Sequence, residues 1–262
     1  MPPAPIAVVL AAGKGTRMAS DLPKVLHEAA GKPLVTWVLE ALAAAGIRDR
    51  IVVVGYRADL VERALAGMPG VALALQQEQR GTGDAVAAAA DAIRARIAAD
   101  PPDSRRPVVI VCGDSPMLRV ESVRDLLAAW EARGASCLLG TALTADPTGL
   151  GRIVRDAAGR FERIVEQKDA TDAERAINEV NMSTYVFEAR DLLRALANLR
   201  PDNAAGEYYI TDCPGMLLRE GRGVDAVACL DASETLSVNT PEQLAAVAAA
   251  LNNRGAKGKV ST

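Results

Sequence analysis

The sequence predicts an α/β fold: a Rossmann-like, mostly parallel sheet sandwiched by helices, with a small inserted β-hairpin. Three observations carry this. Short apolar runs alternate with helix-like segments through residue 143, the pattern of strand–helix crossovers. The runs are continuously apolar, Ile6 to Ala12 and Ile51 to Val54 above all, as in strands covered on both faces. The rhythm breaks between 146 and 180, where two short β-like runs, Arg152 to Arg155 and Phe161 to Glu166, flank the turn Asp156-Ala-Ala-Gly159.

The remaining elements follow in order. Pro33 to Ala45 is expected to be a helix with Pro in its first turn and Gly46 as its stop. Ile51 to Val54 is a strand, and Asp59 to Ala66 a short helix capped by Asp59. Val71 to Leu75 is a third strand, followed by an Ala-rich helix from Ala85 to Ala99. Val108 to Val111 is the fourth strand, Glu121 to Arg133 a helix, and Cys137 to Leu143 another strand. After the hairpin, Asn181 to Glu188 returns to the main sheet. Tyr208 to Glu220 reads as a helix that Pro214 delays or kinks. Val224 to Leu230 is a late strand and Pro241 to Leu251 a last helix. One domain over 1–252 is expected, with 146–180 inserted and 253–262 a frayed polar tail.

Bulk properties narrow the function. The chain has 262 residues, half of them hydrophobic, enough for a sizeable core. Its net charge of −3 is spread throughout, so no nucleic-acid stripe or polybasic membrane patch is expected. No apolar run approaches the roughly 18 residues of a membrane span, and Met1-Pro-Pro-Ala-Pro5 lacks a basic leader, so a cytoplasmic protein is expected. The four cysteines lie far apart and there is a single histidine, His27, which argues against zinc and against a Ser/His/Asp hydrolase.

The chemistry concentrates where Ile6 to Ala12 breaks into Gly13-Lys-Gly-Thr-Arg-Met18, followed by Pro23-Lys24. Gly13 and Gly15 let the backbone approach a ligand, and Lys14, Arg17 and Lys24 add positive charge suited to phosphates. It is not a P-loop: Val8 stands where that motif needs Gly, and Gly15 follows Lys14 where it needs Ser or Thr. Nor is it a dinucleotide fingerprint, because Met18 occupies the third glycine position.

The stretch resembles the signature of sugar-1-phosphate nucleotidylyltransferases, and Pro23-Lys-Val-Leu-His-Glu-Ala-Ala-Gly-Lys-Pro33 is most similar to their N-acetylglucosamine-1-phosphate uridylyltransferase branch. The resemblance implies a fold of the nucleotide-diphospho-sugar transferase type, in which the hairpin belongs to the sugar side. It implies UTP and a sugar-1-phosphate as small-molecule substrates, Mg²⁺ as cofactor, and a role in cell-envelope precursor synthesis. Arg17 and Lys24 are then the catalytic phosphate-binding cations. Asp114 and Asn239 bind substrate and metal, where otherwise Asp114 would be a turn residue and Asn239 a helix cap. Gln76-Gln-Glu-Gln-Arg-Gly-Thr-Gly83 matches the family's base loop, which assigns Gln76, Gln79, Gly81 and Thr82 to the base. Leu10, Ala11, Ala12 and Gly13 lie against base and ribose, and Cys112 and Gly113 join Asp114 in binding substrate. Gly151, Glu166 and Asn181 face the sugar.

The chain departs from the family at three places. Met182-Ser183 replaces a Thr/Ser-Gly pair after Asn181, Leu150 replaces an aromatic residue, and Cys112 replaces a tyrosine. These bear on sugar identity more than on reaction type. Two alternatives stand beside the leading reading: another sugar or nucleotide, or a non-catalytic sugar-nucleotide sensor, against which the joint presence of Arg17, Lys24, Asp114 and Asn239 speaks. No hexapeptide repeats are present, so acetyl transfer is not expected, and neither are nucleic-acid or membrane partners; a monomer or dimer is expected.

Overall fold

The computed structural model describes residues 3–203 and 206–258. The chain opens with β1 (Ile6–Ala11), a two-residue ladder of β2 (Glu28–Ala29) and β3 (Lys32–Pro33), then α1 (Leu34–Ala44), β4 (Asp49–Val54), α2 (Ala58–Leu65) and β5 (Val71–Leu75). It continues with α3 (Thr82–Ala88), α4 (Ala90–Ile97), β6 (Pro107–Cys112), α5 (Val120–Arg133) and β7 (Cys137–Leu143). The hairpin is β8 (Gly151–Arg155) and β9 (Phe161–Val165), followed by α6 (Asp172–Arg175), β10 (Glu179–Glu188) and α7 (Ala189–Asn198). The last elements are α8 (Asp212–Arg219), β11 (Val224–Val227) and α9 (Pro241–Gly258).

The main sheet runs β11-β7-β10-β6-β1-β4-β5. Neighbours are parallel except β10, which is antiparallel to both β6 and β7. The hairpin hangs from β10 through β8, with Asn181 paired opposite Gly151.

Alternation of side chains along each strand sorts the apolar residues into two layers. Ile6, Val8, Ile51, Val108 and Ile110 face one core with Val86, Ile93, Leu192 and Leu217 of α3, α4, α7 and α8. Ala7, Val9, Val52, Val54, Val109 and Val111 face the other, against α1, α2 and α5. Helices therefore cover both faces, as the apolar strands require.

Several boundaries differ from the sequence reading. Asp59 does not cap α2; Arg57, left-handed at φ 47, precedes the helix, and Asp59 pairs with Arg63 at 2.8 Å within it. The Ala-rich helix starts three residues early, at Thr82, and divides at Ala89, whose N–H returns to Val86. The helix expected from Tyr208 starts only at Asp212, because the Tyr208 backbone is occupied: it donates to Arg80 at 2.8 Å and accepts from Gly83 at 2.7 Å. Pro214 then lies in the first turn of α8, where its missing N–H has no helical partner to lose. β11 stops at Val227, since Cys229 turns back to donate to its carbonyl. α9 runs seven residues past Leu251, into the expected tail; residues 259–262 lie outside the described residues. The sequence reading assigned no helix to 189–198, which form α7.

Leu42 on α1 is fully buried against the second core. Leu42→Ala is expected to lower the unfolding free energy by about 2–5 kcal/mol, read from urea denaturation.

Candidate active site

The loop after β1 is shaped around one lysine. Gly15 adopts φ 71, and a Cβ there would lie 2.6 Å from Cβ of Lys24. Glycine at 15 thus gives the Lys24 stem its path. A Cβ on Gly13 would meet no atom within 4 Å, so that face of the turn is open space. At the far end of the stem, the Lys24 ammonium forms an ion pair with Asp114 and donates to Asn239 Oδ1 at 2.8 Å. Arg17 Nη2 donates to the same Oδ1 at 3.0 Å. The Lys24 and Asp114 side chains are only 17% and 19% exposed.

Asn239 caps nothing with its side chain. Thr240 Oγ1 accepts from the Gln243 N–H of α9, while Asn239 donates its own N–H to Gln243 Oε1. The amide oxygen is thereby left to the two cations. Gly113 holds Asp114 close behind β1: its N–H donates to the Leu10 carbonyl at 2.8 Å, and a Cβ would lie 2.9 Å from that oxygen.

The donor set fits a hard divalent cation. The Asp114 carboxylate and the Asn239 amide oxygen converge on one ammonium, and Mg²⁺ takes few protein oxygens when phosphates supply the rest. Among the described residues there is no cluster of three or more His, Cys, Asp or Glu side chains that would suggest a different metal cage.

A cavity of about 310 Å³ opens beside this cluster. Leu10, Ala11, Ala12 and Gly13 form one wall, Gln76, Gln79, Gly81 and Thr82 another, and Lys24, Cys112 and Asp114 the floor. The loop of residues 76–83 is locked from behind. A Cβ on Gly81, at φ 112, would meet the Tyr208 carbonyl at 2.4 Å, and Ile210 donates its N–H to Thr82 Oγ1 at 3.1 Å. Gln79 passes over Gly55, where a Cβ would lie 2.9 Å from its Nε2. Sequence reasoning missed Gly55; its position directly after a buried strand was the available signal.

A second cavity, about 630 Å³, shares Leu10, Thr82 and Cys112 with the first. It is lined by Glu166, Lys168, Ser183, Tyr185 and Asp212. Gly151, Glu166 and Asn181 come together at its edge: a Cβ on Gly151 would lie 3.5 Å from both Asn181 Cβ and Glu166 Oε1. Only Glu166 of these three lines the cavity. The Asn181 amide is partly engaged, donating to the Tyr185 hydroxyl at 3.0 Å and accepting from the Ser183 N–H at 3.2 Å. Desolvation raises the Glu166 carboxyl above its usual range, with Lys168 pulling the other way. Burial, reinforced by Asp114 and opposed by Lys24, pushes the Cys112 thiol up to about 12, which leaves it protonated at neutral pH and no nucleophile.

The two residues of the departure after Asn181 point to different places. Met182 packs with Leu150 against Ala142, Val180 and Leu230, away from the cavity. Ser183 sits left-handed at φ 49 in the β10 bulge and lines the cavity beside Cys112 and Tyr185. A larger hollow of about 900 Å³ lies between α1, the start of α5 and α9, and contains none of these residues.

Residues 7–209 match the MobA-like NTP transferase domain family. The chain is 44% identical over 248 residues to the bifunctional protein GlmU of Pelobacter propionicus, covering 95% of this chain and 52% of that protein. It is 45% identical over 248 residues to GlmU of Thermobifida fusca, covering 94% and 50%, and 46% identical over 259 residues to GlmU of Sorangium cellulosum, covering 96% and 53%. The chain spans about half the length of the curated relatives it matches. A crystal structure of UDP-glucose pyrophosphorylase complexed with UDP-glucose has the same fold, with a TM-score of 0.71 at 16% identity, covering 96% of this chain and all of that one.

The two loop glycines are expected to behave differently on substitution. Gly15→Ala forces a left-handed alanine and displaces Lys24, lowering stability in urea denaturation by at least about 1 kcal/mol. Gly13→Ala meets open space, so its stability stays near that of the unaltered protein while affinity for a nucleoside triphosphate falls.

Proposed function

Because the chain belongs to the MobA-like NTP transferase domain family, we propose that it is a nucleotidylyltransferase converting UTP and N-acetylglucosamine-1-phosphate into UDP-N-acetylglucosamine and pyrophosphate. One observation carries this reading. Two cations, a carboxylate and an amide oxygen, from three distant parts of the chain, converge on one point, and Lys24 and Asp114 of this cluster line the cavity walled by Leu10 to Gly13 and by Gln76, Gln79, Gly81 and Thr82. The similarity to GlmU proteins supports the choice of substrates.

The transfer needs little covalent help from the protein. A phosphate oxygen of the sugar-1-phosphate attacks the α-phosphorus of UTP. A new P–O bond forms as the bond to the bridging oxygen of the β-phosphate breaks, and pyrophosphate carries away that electron pair. Positioning and charge compensation dominate such reactions. Lys24 and Arg17 stand where they would hold the phosphates, with Lys24 set by Gly15 and Asp114. Asp114 and Asn239 would hold Mg²⁺, which when bound neutralises phosphate oxygens. Gln76, Gln79, Gly81 and Thr82 would read the base against the wall Leu10–Gly13. Glu166 and Asn181, with Gly151 making room, would receive the sugar.

A related reaction with another sugar is the second reading, and Ser183 favours it, since this residue alone of the Met182-Ser183 departure reaches the sugar-side cavity. The protein would act in the cytoplasm on small-molecule substrates, as a single domain over 1–252. Among the described residues no helix is long and apolar enough to cross a membrane.

Pyrophosphate release with Mg²⁺, UTP and N-acetylglucosamine-1-phosphate tests the reading. Lys24→Ala and Asp114→Ala are each expected to lower turnover by about a hundredfold or more, and chelation of the metal to abolish it. Undiminished turnover in either variant rejects the assigned roles, and turnover with glucose-1-phosphate alone selects the second reading.

A further inference from the structure

Gln76 is 4% exposed and held from one side only. Its Nε2 donates to Asp84 Oδ2 at 2.8 Å and to the Gly81 carbonyl at 3.2 Å. Both partners are pure acceptors, so the nitrogen must face them. The two ends of a side-chain amide are ordinarily interchangeable on shape; here the neighbours remove that choice. Asp84 is itself pinned, because Arg80 Nη2 donates to its other oxygen, Oδ1, at 2.8 Å. Arg80 lies over the Tyr208 ring at 5.6 Å, and the Tyr208 backbone grips Arg80 and Gly83 on either side of the turn. No hydrogen bond to Gln76 Oε1 is formed within the described residues, and Gln76 lines the cavity beside Leu10 to Gly13.

We propose that Asp84 makes this site select uracil over cytosine, by fixing the Gln76 amide with its oxygen toward the base. The inference rests on the reading above that Gln76 meets the base. Uracil presents an N3–H donor on its Watson–Crick edge, whereas cytosine presents a lone pair at N3. A fixed amide oxygen accepts from the first and opposes the second. Turning the amide over would satisfy cytosine, but it would set Oε1 against the Asp84 carboxylate and the Gly81 carbonyl. A site built to hydrogen-bond one group discriminates strongly against an analogue that leaves it unpaired. Asp84 touches no base in this scheme; it is a positioning residue, and Arg80 decides which of its oxygens faces Gln76.

The relay makes a prediction that a merely structural Asp84 does not. In Asp84→Asn, Arg80 still needs an oxygen, so the new amide nitrogen is turned toward Gln76 and drives its amide over. In Asp84→Ala the Gln76 amide keeps only the longer contact to the Gly81 carbonyl, so its orientation is loosened rather than reversed.

The test is calorimetric binding of UDP and CDP to the full chain, with pyrophosphate release from UTP and CTP measured in parallel. The unaltered protein is expected to prefer UDP. Asp84→Ala should reduce the UDP-to-CDP affinity ratio by about tenfold or more. Asp84→Asn should move it further toward CDP, and adding Arg80→Ala to Asp84→Asn should return it toward UDP, because the asparagine is then free to rotate. The affinity for the sugar-1-phosphate should not change in any variant. A ratio unaltered in both folded Asp84 variants, or a preference of the unaltered protein for CDP, overturns the inference. Selective UDP binding without turnover leaves it standing and rejects only the transfer reaction. Failure to bind either nucleotide rejects the base assignment and this inference with it.

Discussion

The Lys24 ammonium is the point to which the rest of the site is tied. It joins the turn after β1 to Asp114 after β6 and to Asn239 before α9, the last of these 215 positions away in the chain. A largely buried ion pair needs both partners and further hydrogen bonds to offset the loss of water. Here the Asn239 oxygen supplies one and Arg17 shares it. The absent side chain of Gly15 is the steric condition for this arrangement, since any Cβ would occupy the path of the lysine stem. The Gly-x-Gly turn therefore does two different things. Gly13 leaves space facing the cavity, and Gly15 leaves space for a neighbour in the same loop.

The direction of β10, antiparallel to both its neighbours in the main sheet, explains how the second cavity reaches the same edge. β1 and β6 end at Ala11 and Cys112, which puts their loops at the carboxyl edge of the sheet. A parallel β10 would deliver its last residues there. Running the other way, with Tyr185 opposite Ile110 and Glu188 opposite Pro107, it delivers its first ones. Ser183 thereby arrives beside Cys112, and the hairpin, paired through Gly151 to Asn181, comes with it. Arg152, 1% exposed, ties the hairpin base by donating to the Leu150 carbonyl and to Gln167 Oε1. These are the immediate neighbours of Gly151 and Glu166, so one buried guanidinium sets the spacing of both.

Much of this was legible in the sequence, and the limits have physical causes. Continuous apolar runs announce strands covered on both faces, and they placed β1, β4, β5, β6 and β7. They do not announce direction: Asn181 to Glu188 reads the same whether the strand runs up or down, and only the sheet decides. Tyr208 to Thr211 has side chains compatible with a helix, but its backbone groups are taken by the loop of residues 76–83, a partner 128 positions away in the case of Ile210 and Thr82. Asn239 and Thr240 are both good capping residues. The choice between them depends on Pro241 taking the first helical position and on where the Gln243 amide turns. The residues of the candidate site were found through motif resemblance. Their arrangement, and the contributions of Gly55, Asp84 and Ser183, required contacts across the fold.

The departures from the family pattern take on different weights once placed. Met182 and Leu150 pack in one apolar cluster, and neither lines the two cavities. Cys112 and Ser183 are the departures that do line a cavity. Ser183 pulls the Cys112 thiol and the Tyr185 phenol down against the burial that raises both. Ser183 holds its position at a left-handed backbone that disfavours any residue but glycine, a strain that persists only where surrounding contacts impose it. The bulge at Asn181–Thr184 and the Asn181 side chain accepting the Ser183 N–H impose it here. Cys112 and Ser183 both line the cavity of about 630 Å³, and Cys112 lines the one of about 310 Å³ as well. On the proposed function, the transfer would depend on Lys24, Arg17, Asp114 and Asn239, while Cys112 and Ser183 would act on the cavity that Glu166 lines.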